Sequence, residues 1–187
     1  MKRVLLLLVL SVAGCAPVDV VVAEVPQEPD GGRPPLPGPC ALNSDCPPDS
    51  FCERPDCSTP VGHCRPRPVF CDDGVGVVCG CNGVNYWNDC LRRAQGIGAK
   101  VEGECTTAAS RGGPSGATCP DPRASCARLL PEASSCTADP QGTCWVVPAT
   151  CPSSGEGAWS PCAGGACVDT CAAIRSKAAV SRLLNCP

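Results

Sequence analysis

Thiol, phenol and indole chemistry crowds into one short stretch, "VCGCNGVNYWNDC", from Val78 to Cys90. It holds three cysteines, the only Tyr and one of the three Trp of the chain. Three kinds of chemistry suit such a cluster. Metal binding is the first: Cys79 and Cys81 stand in a chelating Cys-x-Cys spacing, and Cys57 and Cys64 are near enough in sequence to join them. Structural zinc sites, however, are built from Cys-x2–4-Cys knuckles, often with histidine, and the single histidine here is His63. Nucleophilic catalysis is the second, and it needs a base held in place by a third group. His63 lies beside Cys64 in a proline-rich segment and reads as an exposed loop residue. The chain has no Gly-x-Ser-x-Gly elbow and no glycine-rich phosphate loop. The adjacent carboxylates Asp72 and Asp73 point to opposite sides of an extended chain and do not face each other as an acid–base pair. No metal, cofactor or catalytic residue is therefore expected. The third kind is folding chemistry, in which the sulfurs are crosslinks and the other residues shape a small fold.

The surrounding sequence supplies the elements for that third reading. Val77, Val78 and Cys79 have the β-branched content of a short strand. Asn82-Gly83 is a strong hairpin dipeptide, because both positions tolerate positive φ. Residues 84–86 return as a second strand. Asn88 is a good N-cap for a helix through "DCLRRAQ", which carries an acid in its first turn. Gly96 and Gly98 stop that helix, and "AKVEGEC" (99–105) adds a third strand. Tyr86 and Trp87 offer this unit its largest rings.

Composition agrees. Twenty of 187 residues are cysteine and only 3% are aromatic, so a large packed core is not expected and disulfides carry the fold. Proline and glycine, 22 and 20 residues, favour turns over long elements. Met1-Lys2-Arg3 is a basic start, and Val4 to Leu10 is an apolar run too short to span a bilayer. Residues 1–14 thus read as an export signal. Val12-Ala13-Gly14-Cys15 resembles the bacterial lipobox, which implies cleavage before Cys15 and a lipid on its thiol. Ala16, not Asp, follows Cys15; by resemblance to enterobacterial sorting this implies the outer membrane or the cell surface. Without Lys2 and Arg3 the chain keeps 13 basic and 18 acidic residues, and no basic run is interleaved with aromatics, so nucleic acid is not an expected partner. An exported protein meets oxidising conditions in which cysteines pair.

Residues 15–39 read as the lipidated cysteine and a flexible, partly extended Pro- and Gly-rich tether. Two cysteine-rich modules follow, at 40–105 and 119–187, with ten and nine cysteines, joined by a small, polar linker at 106–118. They read as divergent copies. "GHCRPRPVFC" (62–71) matches "GTCWVVPATC" (142–151), and fourteen residues separate Cys90 from Cys105 and Cys171 from Cys186. That alignment sets Cys162 on Cys81, Ser160 on Cys79 and Cys167 on Tyr86.

The spacing of Cys71, Cys79, Gly80, Gly83, Tyr86, Asn88, Cys90 and Cys105 resembles a Kazal-type domain, covering residues 64–105. The resemblance implies a small disulfide-rich fold, a short antiparallel β-sheet plus one α-helix, with the second module as a divergent copy. It implies pairs Cys71–Cys90 and Cys79–Cys105. The family's further cysteine early in the helix is missing, since Leu91-Arg92-Arg93 stands there; Cys81 is expected to replace it and bond Cys64. Cys40, Cys46, Cys52 and Cys57 would then form two more bridges, in any of three pairings.

Kazal domains are serine protease inhibitors or non-inhibitory extracellular modules. The resemblance makes Asp72, Asp73 and Gly74 the protease-contact loop, with Asp73 entering the specificity pocket and Tyr86 and Asn88 as loop support. A carboxylate loses its hydration in an apolar pocket and is repelled in a trypsin-like one, so the partner expected is an extracellular protein and, for an inhibitor, an acid-specific or atypical serine protease. Gly74 and Gly76 would loosen the loop. The alternative is a structural or adhesive module with no inhibitory action. In the second module Asp169 stands at the capping position of a helix expected over 170–184, with Ile174, Ala178, Leu183 and Leu184 facing the core. Acylation of Cys15 leaves nineteen cysteines, an odd number, so one is expected to stay unpaired or bond another chain, and the second module is the expected source.

Overall fold

A computed structural model of the protein describes residues 38–106, 119–130, 136, 141–152, 158–182 and 186. The export signal, Cys15 and most of the tether lie outside the described residues, as do positions 107–118 of the linker and Leu183 and Leu184. Among the described residues no helix is long and apolar enough to cross a membrane.

The first sheet is small. β1 (Pro39–Cys40) and β2 (Ser50–Glu53) both pair antiparallel with β3 (Gly62–Pro66), in the order β1-β3-β2. Pro39, read above as the end of the tether, thus already belongs to a strand. Cys40, Cys52 and Cys64 are buried together here, and sulfur does the work that apolar side chains do in larger cores.

The hairpin expected around Asn82-Gly83 forms between β4 (Val78–Gly80) and β5 (Asn85–Tyr86). Its turn differs from the expectation. Gly83 alone is left-handed, with φ of 75°, and its N–H reaches Gly80 O at 2.9 Å, while the Gly80 N–H reaches Val84 O at 2.9 Å. The loop is therefore three residues long and closes on one left-handed glycine rather than on a two-residue turn. Helix α1 (Asp89–Ala94) follows, and Gly96, at φ of 69°, ends it in the left-handed conformation that glycine adopts without strain. β6 (Ala99–Glu102) returns antiparallel to β4.

β7 (Ser125–Leu130), β8 (Thr143–Val146), β9 (Ser160–Pro161), α2 (Thr170–Ser176) and β10 (Ala179–Ser181) come from the second cysteine-rich segment. The two segments share one seven-stranded sheet, ordered β6-β4-β5-β8-β7-β10-β9. The seam is a parallel pairing of β5 with β8, Asn85 opposite Trp145 and Tyr86 opposite Val146, extended by the Trp87 N–H to Val146 O at 2.9 Å. The aromatics lock it. Trp87 packs with Ala127, Trp145, Cys171 and Ile174, and Tyr86 packs with Val84, Cys144 and Val146. The rings assigned to the first module thus fill a core that both segments build, and Pro35–Pro187 is one compact unit.

The second helix is shorter than its sequence suggests. Lys177 turns left-handed at φ of 56° and ends α2, and the chain then pairs with β7 and β9 as β10. Helix propensity over 170–184 is overridden because Val180, placed on a strand, is buried with Trp159 and Ala173. Ile174 is buried as expected, but Ala178 is exposed.

Among the described residues nine disulfides staple this unit. Cys71 bonds Cys90 and Cys79 bonds Cys105. The Cys64–Cys81 bond expected above is not made: Cys64 pairs with Cys46, and Cys81 with Cys57. The reason is topological. β3 keeps Cys64 in the first sheet, whereas Cys81 sits in the hairpin loop of the second, so the segment after β2 carries Cys57 across to it. Cys40 pairs with Cys52. The second segment carries Cys119–Cys144, Cys136–Cys162, Cys151–Cys171 and Cys167–Cys186.

Candidate functional site

Among the described residues, the loop between Cys71 and β4 has an exposed tip held from below by the buried side chains of Trp87 and Asn88. Asp72, Asp73, Gly74, Val75 and Gly76 are all exposed. Phe70, immediately before the disulfide-bonded Cys71, is 87% exposed. The turn into α1 positions what holds them. Asn88 is N-cap, extended at φ −152° and ψ 169°, and its Oδ1 accepts from the Leu91 N–H at 2.9 Å. Capping uses only the oxygen. The amide nitrogen is left to donate to Asp72 O at 3.1 Å and Gly74 O at 2.9 Å, the carbonyls on either side of Asp73.

Trp87 completes the clamp. Neighbouring side chains in an extended segment point to opposite sides, so Trp87 approaches the loop differently from Asn88. Its Nε1–H donates to Asp73 O at 2.9 Å, and its own carbonyl accepts from the Gly76 N–H at 3.0 Å. The Asp72 carboxylate folds back to accept from the Gly74 N–H at 3.1 Å. Three consecutive loop carbonyls therefore have donors, and the loop is more firmly held than its two glycines suggest. The Asp73 side chain stays at the exposed tip, available to a partner.

Tyr86, assigned above to loop support, does not bond to the loop. Its hydroxyl donates to Asp121 Oδ2 at 3.1 Å and accepts from Asn82 Nδ2 at 2.9 Å. Burial foremost, with the facing charge of Asp121, pushes the phenol above its ordinary value and keeps it a donor. Its support is indirect, through the hairpin and the seam. Sequence reading missed Trp87 as a loop donor; its position next to Asn88 was the available signal. It also missed Asp121, which carried none.

An ion network ties α1 to the first sheet. Arg92 is 2% exposed and bonds Asp89 at 2.7 Å and Glu53 at 3.2 Å, while Arg93 bonds Glu53 at 3.3 Å. Burial resists ionisation of Glu53, but the bonds and charges of Arg93 and Arg92 outweigh it and hold the carboxyl below its ordinary value.

Among the described residues two donor groups lie close enough together to suggest metal binding: Cys40 with Cys46 and Cys64, and Cys151 with Asp169 and Cys171. All of these sulfurs are in disulfides, so none offers a thiolate. His63 is exposed on β3 and is not brought to the loop. A scan against protein-family models returned no match for the chain, and a search of curated proteins returned none.

Proposed function

We propose that the chain is an exported bacterial lipoprotein, anchored through acylated Cys15, that presents the 71–76 loop to an extracellular protein, specifically as a Kazal-like contact loop for an acid-selective serine protease. The observation that carries this is the double donation of Asn88 to the carbonyls flanking Asp73. A partner cleft that takes an extended loop gains affinity when the loop is ordered before binding, and this brace orders the loop while leaving the Asp73 carboxylate outward. Asp73 selects the partner: only a pocket with its own cation or strong donors repays the carboxylate's lost hydration.

The second segment is read as a divergent copy of the first, and the disulfides support that reading. In the alignment that sets Cys64 on Cys144, Cys71 on Cys151, Cys81 on Cys162 and Cys90 on Cys171, bonds match bonds. Cys46–Cys64 corresponds to Cys119–Cys144 with the first end displaced, the spans being 18 and 25 residues, Cys57–Cys81 corresponds to Cys136–Cys162, and Cys71–Cys90 to Cys151–Cys171. Cys79–Cys105 corresponds to Cys167–Cys186, with one end displaced along the chain. Asp169 caps α2 as Asn88 caps α1, its Oδ1 accepting from the Ala172 N–H at 2.8 Å. A carboxylate has no N–H to give, so the copy lacks the bracing donor.

A non-inhibitory surface module is the second reading, favoured by the Trp87 bond to Asp73 O. The test is inhibition by the intact mature chain of a panel of serine proteases that includes an acid-selective one. The expected result is inhibition of that enzyme, transferred to trypsin-like enzymes by Asp73→Lys. No inhibition by either protein across the panel would leave the non-inhibitory reading.

A further inference from the structure

We propose that Trp87 is a latch on the contact loop, set by the second segment, which a partner protease must displace; this rests on the reading of 71–76 as a protease-contact loop. A serine protease that accepts Asp73 places its oxyanion-hole N–H donors on the carbonyl oxygen of that residue. In this chain that oxygen already accepts from Trp87 Nε1 at 2.9 Å. The indole and the enzyme therefore compete for one acceptor.

The latch is held firmly. Trp87 is 6% exposed and wedged among Ala127, Trp145, Cys171 and Ile174, all from the second segment. Its main chain is fixed at both polar atoms, the N–H to Val146 O at 2.9 Å and the carbonyl to the Gly76 N–H at 3.0 Å. The second segment also approaches the loop directly. Pro148, Ala149 and Thr150 face Phe70, Asp72 and Asp73 across a cleft of about 390 Å³, and Arg175 of α2 donates to Ala149 O. A protease seated on Asp73 meets this wall as well as the indole.

The binding-competent loop is thus the one in which the Asp73 carbonyl has been released, and apparent affinity is lowered by the fraction of time the latch is shut. Asn88 and Trp87 act in opposite senses although both donate to the loop. Asn88 holds the carbonyls beside the contact residue, which a partner leaves in place. Trp87 holds the carbonyl the partner needs.

The experiment compares the intact mature chain with Trp87→Phe against an acid-selective serine protease. Phenylalanine keeps a ring in the apolar cluster and removes the N–H. The expected result is inhibition tightened about 3- to 10-fold, the worth of one neutral hydrogen bond, with the wild-type disulfide map retained. Inhibition equal to or weaker than wild type overturns the latch and leaves the contact-loop reading standing. Inhibition by neither protein overturns both. If Trp87→Phe misfolds, the wild-type chain is decisive. The Trp87 indole N–H resonance should move upfield in the complex as its bond to Asp73 O is broken, and an unchanged shift overturns the latch.

Discussion

Asn88 does two jobs with two atoms, and its substitutions separate them. Aspartate caps helices as well as asparagine does, so Asn88→Asp keeps the cap, but losing the amide donors of a buried residue should still cost about 1–3 kcal/mol of stability. It has no N–H for Asp72 O or Gly74 O and sets a negative charge against them, so inhibition of the target protease should fall about tenfold or more. Asn88→Ala loses both roles, and the missing cap should cost about 1 kcal/mol on top of the lost brace. Thermal melts beside inhibition constants read the difference; an Asn88→Asp protein that inhibits like wild type would show that the brace does not matter. Sequence exposes only half of this. The cap at Asn88 is local, three residues from its N–H partner, and is legible. The indole bond from Trp87 to Asp73 O spans fourteen residues and depends on a core that no local pattern announces.

At the scale of elements, the hairpin, α1 and β6 were legible because turn glycines, a cap and a β-branched run each fix a short segment. The β-pairing across the seam and the strand that replaces the end of the second helix were not, since both are decided by what a distant segment buries. The link between α1 and the first sheet has a pH signature. Glu53 ionises more easily in the folded chain than at its ordinary value near 4.5. A carboxyl with a depressed folded value stabilises the fold above its unfolded value and loses that contribution as pH falls through the folded one. The melting temperature should therefore drop as pH is lowered below about 4.5. Glu53→Gln should flatten this acid limb and cost about 1.5–3 kcal/mol at neutral pH, because Arg92 and Arg93 lose a charged acceptor. Parallel acid limbs for the two proteins would assign the pH dependence to other groups.

For the molecule as a whole, cysteine density announced a stapled fold, yet connectivity could not be read beyond what the family resemblance implied. Cys57–Cys81 joins two sheets, and only the tertiary course of the chain brings those residues together. The seam has the same origin. β5 and β8 pair over two residues each, and Trp87 and Trp145 bury themselves across the join. Acylation at Cys15 would leave nineteen cysteines, so the mature chain, unfolded without reductant, should take up one equivalent of maleimide or run as a reducible dimer. Neither label nor dimer would argue that Cys15 keeps its thiol for pairing. The placement of two crosslinks has one more consequence. Hydrolysis of the Asp73–Gly74 peptide bond would not release a fragment. The new carboxyl end stays tied through Cys71–Cys90, the new amino end through Cys79–Cys105, and Asn88 keeps a hand on each. Severed halves held in register have little entropy to gain by parting, so an enzyme that nicked this site would keep facing its own product, poised to reseal.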